Sequence, residues 1–318
     1  MQKNSPSAGI YTSIEELASM RYNTTGLNPL AHKKALASMA GGHISSFRGR
    51  GIDFSEVRIY QPGDDIRNID WRVTARTNKP HTKLYREERE RPVYIVVDQC
   101  QSMFFGSKKT FKSVTAARAA ANLAWGTIDN GDRVGGLVFS DNEHQEIRPK
   151  EGKRGIQRLF QALVNFNQSL TAEHDTDIAN KRSLTNALAG LNQVVRPSSL
   201  VFLISDFRSF DDISLQHLSV LNRHNDVICI FIFDSMELEL PKAGYYNFSD
   251  GKNRVRVDTS SHTIRQNYTR RFTQHHKRVK TQLISLGIPL IDLSTNADVV
   301  ESLKKSLGRT IKLRRVLR

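Results

Sequence analysis

The chain is short of several things, and each shortage excludes a class. Among its 318 residues there are two cysteines, Cys100 and Cys229. Two thiols build no disulfide framework, so a reducing compartment is the expected setting. No apolar run approaches the roughly 18 residues that a membrane span needs. The longest, VICIFIF at 227–233, has the length of a strand. The opening MQKNSPSAGIYTS lacks the apolar segment of a secretory signal. These absences predict a cytoplasmic, soluble protein with no integral membrane segment.

Acids are scarce next to bases, 32 against 47, which leaves a net charge of +15. The imbalance is local. No acid lies between Arg265 and Lys280, which hold six bases, or between Lys304 and Arg318, which hold seven. Basic surface of this kind attracts nucleic acid, acidic lipid or an acidic protein; its plainest reading is a solvated face. The tail has no interleaved aromatics, which counts against single-strand stacking.

Catalytic signatures are also missing. No Gly-x-Gly-x-x-Gly follows the first apolar strand, and there is no Gly-x-Ser-x-Gly elbow and no Cys-x-x-Cys. FGSKKT at 105–110 lacks the order of a phosphate loop, and His275-His276 has no metal-ligand spacing. Nothing assembles a nucleophile, a base and an orienting group, so the expectation is a protein that is not an enzyme.

What is present is alternation. Apolar strands are predicted at 93–98, 133–140, 200–206, 227–234 and 288–293, with a more polar edge strand at 144–149. Near-continuous apolar runs suit a parallel sheet covered on both faces. Helical patterns fall between, at 110–128, 153–166, 183–195, 213–223, 262–286 and 297–307. The fold class is therefore α/β, a doubly wound, mostly parallel sheet. YYNFSDGKNRVRVD at 245–258 reads as an inserted hairpin. Residues 1–92 form an N-terminal extension, with short helical patterns near Ile14–Arg21 and Leu30–Met39. The α/β domain spans 93–307, and 308–318 is a basic tail.

Two apolar strands end in an acid, VYIVVD at Asp98 and LISD at Asp206. If they are neighbours where the strand order reverses, the two carboxylates converge at the ligand-binding edge of the sheet. Asp98 is followed by Cys100 and Ser102, close to the Asp-x-Ser-x-Ser loop that offers hard oxygen ligands to magnesium. Cys100 spoils that pattern, because a neutral thiol is a poor magnesium ligand.

The segment before the first strand reads RGRGIDFSEVRIYQPGDDIRNIDWRVTARTNKP. With Asp53, Arg58, Tyr60, Gly63, Asp64, Arg67, Asp70, Trp71 and Arg76 in place, it resembles the signature of the bacterial domain-of-unknown-function 58 family. DQCQSMFFGS and LVFLISDF resemble the cation-site motifs of the von Willebrand factor type A domains that members of this family carry. The likeness spans roughly residues 40 to 295. It implies a type A-like fold and a family-specific N-terminal extension. It also implies a protein-interaction or adaptor role beside an AAA+ ATPase of the MoxR type, with the switch-point loops 98–107, 175–183 and 206–212 facing the partner. Gln101, Met103, Phe104, Phe207 and Arg208 are the candidate contacts.

The family's third loop carries a threonine where this chain has Arg182. Arginine there repels a dication and forks onto a carboxylate. The expectation is a degenerate site in which Arg182 pairs with Asp98 or Asp206 and no cofactor is needed; a weak magnesium site on Asp98, Ser102 and Asp206 is the alternative. The signature's interleaved acids and bases read as an ion-paired platform, or else as a docking surface. The alternative function is nucleic-acid binding through the 262–280 helix and the tail.

Overall fold

The computed structural model describes residues 9–24, 27, 29, 52–62, 64–87, 91–171, 182–241, 243–249 and 254–316. The pattern predicted at Leu30–Met39, the loop at 172–181 and Gly63 lie outside them. The chain divides into two compact units, residues 1–37 with 91–318, and residues 38–90.

In the larger unit, six of the described strands form one sheet in the order β10-β7-β6-β3-β4-β5. These are β3 (Val93–Asp98), β4 (Val134–Phe139), β5 (His144–Lys150), β6 (Leu200–Ser205), β7 (Asp226–Phe233) and β10 (Leu290–Ser294). All neighbours are parallel except β5, which runs antiparallel at one edge and buries only Ile147. The chain enters at β3, moves outward through β4 and β5, then crosses to β6 on the other side. The strand order therefore reverses between β3 and β6. A second antiparallel pair, β8 (Tyr245–Ser249) and β9 (Arg254–Asp258), is the predicted hairpin; its turn lies outside the described residues.

Helices cover both faces. Val93, Ile95 and Val97 pack on one side, with the helices α3 (Lys112–Asp129), α4 (Lys153–Ser169) and α9 (Val299–Val316). Tyr94 and Val96 pack on the other, with α5 (Ser183–Val194), α6 (Asp212–His224) and α8 (His262–Ser285). Adjacent strand residues point to opposite faces, so a strand apolar at every position needs this double cover. The alanines of α3 let its backbone sit close to the sheet. On β4, a Cβ added to Gly136 would run into the Ile95 carbonyl, so only glycine fits the approach of β3.

Two boundaries differ from expectation. The first helix, α1 (Ile14–Ser19), belongs to the α/β unit and not to a separate extension. Six residues do not hold a helix unaided. Leu17 is fully buried in the core, the Trp125 indole donates to its carbonyl at 3.0 Å, and Arg118 pairs with Glu16 at 2.6 Å. Burying that leucine alone contributes about 2 kcal/mol. At the other end, α9 runs to Val316, so the backbone has no break at 308. Leu303 and Leu307 anchor it, and the helix continues through Gly308 although glycine is a poor helix former.

The smaller unit pairs β1 (Ile52–Ile59) antiparallel with β2 (His81–Glu87), with an irregularity between Phe54 and Glu56. A turn closed by Asp64 N–H donating to the Gln61 carbonyl follows β1. Asp65 caps a short 3-10 turn at Ile66–Asn68, and Asp70 caps α2 (Trp71–Thr77). The Asp70 carboxylate accepts from the N–H groups of Arg72 and Val73. Ile59, the last residue of β1, is exposed.

Candidate functional site

β3 and β6 lie side by side, with Val97 level with Ile204. Their carboxyl ends deliver Asp98, Ser205 and Asp206 to the point where strand order reverses. Asp98 is 1% exposed. One of its oxygens accepts from the Cys100 N–H at 2.9 Å and the other from the Ser205 hydroxyl at 2.5 Å. Ser205 Oγ accepts in turn from the Phe207 N–H at 2.8 Å. Burial, and then the nearby Asp206 charge, push the Asp98 carboxyl up to about 7.

Asp206 takes the opposite direction. Burial alone would raise it, but Lys112 and then Arg208 hold it below the usual carboxylate range. The Lys112 ammonium is 2.7 Å from Asp206 Oδ2, and the Arg208 backbone N–H donates to Oδ1 at 3.0 Å. Two buried carboxylates this close do not both ionise freely, and the one beside the cations keeps the charge.

Lys112 is fully buried, at the first position of α3. Its ammonium also donates to Glu237 Oε1 at 2.8 Å. Glu237 belongs to the single turn α7 (Ser235–Leu238), which it locks in a capping box with Asp234. Arg208 Nη2 reaches the same Glu237 oxygen at 2.8 Å, while the Arg208 side chain is 61% exposed. Phe207 takes the left-handed backbone conformation, φ 56°, which is strained for a bulky residue. Its ring stacks on Phe231 at 5.9 Å and meets Phe210 edge-on, and that packing offsets the strain.

The predicted site residues fare differently. Asp98 and Asp206 come together. Cys100 is buried with its thiol 3.4 Å from Ser183 Oγ; burial, then Asp98, push the thiol well up, so it is neutral. Ser102 sits half-buried in the 3-10 turn Gln101–Met103. Gln101 donates its N–H to Asp141 at 2.7 Å and its amide to the Thr171 carbonyl at 2.8 Å. Of the candidate contacts, Met103 and Phe207 are core residues without exposure, because the loop turns them inward onto the sheet. Phe104 packs on Tyr11 and Phe111. Gln101 and Arg208 remain at the surface.

Arg182 is exposed just before α5, and its charge acts on Asp211. The cation on Asp206 is Lys112, from a different loop, and the pairing expected of Arg182 is corrected accordingly. An arginine at the edge of α5 meets water first; the lysine at the base of α3 is already inside. Thr185 donates to Asp211 at 2.9 Å and joins the cap of α6.

In the smaller unit, Arg58 pairs with Asp64 at 2.7 Å, and Asp70 with Lys83 at 3.5 Å. Tyr60 donates its N–H to the Pro80 carbonyl and is half-buried. Arg67 and Arg76 are exposed, and Trp71 is 68% exposed. The Asp53 side chain lies outside the description.

The residues at the strand ends do not fit magnesium. A dication wants several hard anionic oxygens. Here the ionised carboxylate already holds an ammonium, Asp98 favours its proton up to about neutral pH, and the middle position is a neutral thiol. Among the described residues no three His, Cys, Asp or Glu side chains converge as ligands.

The sequence reading missed Lys112, Ser205 and Glu237. A signal for the first was present. A cation at a helix N-terminus opposes the helix dipole, and α3 carries no acid in its first turn to offset it. A lysine placed there beside a switch-point loop calls for anions brought by other strands.

Fold and site together define a class: an open, mostly parallel α/β sheet whose switch point carries a buried charge cluster. The chain belongs to the family described as "Protein of unknown function DUF58", which matches residues 56–278. Uncharacterized proteins of Mycobacterium tuberculosis and Mycobacterium bovis are 27% identical over 259 residues, which is 81% of this chain and 79% of theirs. Among solved structures, it is similar to the conserved hypothetical protein BatB from Bacteroides thetaiotaomicron, with a TM-score of 0.39 and 12% identity over 70% of this chain and 99% of that one. An aerotolerance-related membrane protein from Bacteroides fragilis gives a TM-score of 0.38 and 12% identity over 70% and 99%. No described helix of the present chain is long and apolar enough to cross a membrane.

Proposed function

We propose that the larger unit is a von Willebrand factor type A-like module, and that the chain is a non-enzymatic adaptor that docks a MoxR-type AAA+ ATPase. One observation carries the reading. Asp98 and Asp206 meet at the carboxyl ends of adjacent parallel strands where the strand order reverses, the place where an open α/β sheet binds its ligand. The groups around them hold one another by charge and hydrogen bonds, which suits a rigid docking edge better than a reaction centre. Arg208 and Gln101 are the surface residues beside it.

The test is binding of the full chain to a purified MoxR-type ATPase from the same genome. Arg208→Glu should weaken binding at least about tenfold, a loss typical of a charge placed against its complement. Arg154→Glu is the control, since Arg154 is exposed and beside Gly155, which lies against the start of β4 at the other end of the sheet. Equal losses for both variants, or no binding by the wild type, would sink the reading.

A second reading is favoured by α8. It has 24 residues, no acid, and only Val279 and Leu283 buried, while Arg270, Arg271, Lys277 and Lys280 are exposed. At about 1.5 Å per residue the helix is long enough to follow roughly one turn of duplex. Phosphate binding should weaken by orders of magnitude between low and physiological salt; no binding at low salt removes this reading.

A further inference from the structure

We infer that the Lys112 ammonium occupies the role of the divalent cation at this switch point, tying the loops after β3, β6 and β7 together, so that this edge of the sheet works without metal. The argument is one of placement. Lys112 opens α3 and so comes from the loop after β3, Asp206 directly follows β6, and Glu237 follows β7. A single nitrogen with no exposure lies 2.7 Å from the Asp206 carboxylate and 2.8 Å from the Glu237 carboxylate. Three separate crossovers are joined at that atom. A cation that bridges acidic groups from separate loops is what a metal supplies in such a place, and an ammonium supplies the same charge with three donors.

The charges also close. Lys112 and Arg208 face Asp206 and Glu237, two against two. The remaining carboxyl, Asp98, is held by the Ser205 hydroxyl and the Cys100 N–H instead of by a cation. A dication entering here would have to displace a buried ammonium from its own partners. The departures that mark the loop, Cys100 and Arg182, then have one explanation. With the cation supplied by the chain, the hydroxyls that hold a metal are free to change. It follows that a partner does not dock here through a metal-bridged carboxylate. That consequence rests on reading this edge as the docking face; the cation assignment does not, and it is tested with metal alone.

The experiment is thermal unfolding of the full chain, with and without millimolar Mg2+ or Mn2+, together with Mn2+ binding followed by electron paramagnetic resonance. The variants are Lys112→Ala, which removes the charge and leaves space, and Lys112→Met, which removes the charge and keeps the volume. Wild type should show no metal-dependent shift and no bound Mn2+. Both variants should melt roughly 10 °C lower, since an unpaired buried charge remains. Metal should raise the melting point of Lys112→Ala by several degrees, because a ligand of the folded state alone stabilises it, and should leave Lys112→Met unmoved. Stabilisation of the wild type by metal, or bound Mn2+ in it, overturns the inference. So does a folded Lys112→Ala that melts like the wild type or ignores metal. If Lys112→Ala does not fold, the wild-type Mn2+ titration still decides.

Discussion

The chain builds two charge-rich regions, and they obey different rules. At the carboxyl end of the α/β sheet, Lys112 pairs with Asp206 and Glu237 inside the protein, with the lysine fully buried. In the smaller unit, Arg58 pairs with Asp64 and Lys83 with Asp70 in partial contact with water. The motifs look alike in sequence, acids and bases a few residues or loops apart. Their energetic weight differs because water screens the second set and not the first. Exposed pairs contribute about 0–1 kcal/mol, whereas breaking a buried pair by removing one partner costs about 3–5 kcal/mol. Density of charge in a sequence therefore says little about where charge matters; burial decides.

The contrast sets an order of expected effects. Lys112→Met should be the most damaging single change, with urea unfolding showing a loss of about 3–5 kcal/mol. A loss under about 1 kcal/mol would mean that the cluster is wetter than its geometry indicates.

Next is the pH response of Asp98. Its folded value, about 7, lies above the ordinary 3.8. The folded form therefore holds the proton more tightly than the unfolded chain. The resulting stability is fully present below about pH 4 and is lost as pH rises toward 7. Asp206 has the opposite sign: its folded value is lowered, so its contribution is present above the ordinary carboxylate value and lost as pH falls below it. The stability of the wild type relative to Asp98→Asn should fall across about pH 4 to 7 and stay level above. A difference that does not vary with pH would show that Asp98 is ionised throughout.

In the smaller unit, Asp70→Ala removes the cap of α2 and should cost about 1 kcal/mol. Amide exchange at Arg72 and Val73, the two N–H groups the carboxylate covers, would locate the loss. The smallest effect is expected for Arg58→Ala, within about 0.5 kcal/mol and smaller still in high salt. If Arg58→Ala approached the Lys112 variant in cost, burial would not be what separates the two regions.

Much of the fold was legible. The strands at 93–98, 200–206 and 227–234 were within a residue of β3, β6 and β7, because an unbroken apolar run of that length admits few alternatives. The polar 144–149 segment was readable as an edge for the same reason in reverse. The paired strands β1 and β2 were harder. An irregularity between Phe54 and Glu56 breaks the period of β1, and Ile59 at its end is exposed. α1 was legible as a helix but not as part of the α/β unit, since its tie is one leucine and two side-chain contacts from α3.

The candidate site divides along the same line. Asp98 and Asp206 could be paired from sequence, because both end apolar strands and a parallel sheet aligns strand ends. The choice of the cation could not. Arg182 and Lys112 are both bases beside switch-point loops, and local sequence does not say which one the packing encloses.

The amino-acid sequence by itself determined the alternation of strands and helices, the neighbouring carboxylates and the basic face of α8, because these follow from periodicity and composition. Tertiary structure alone decided that Lys112 is buried, that Arg182 stays in solvent and that Glu237 arrives to share the ammonium. Those outcomes depend on which side chains three separate crossovers bring to one point, and electrostatic strength is set there by the exclusion of water.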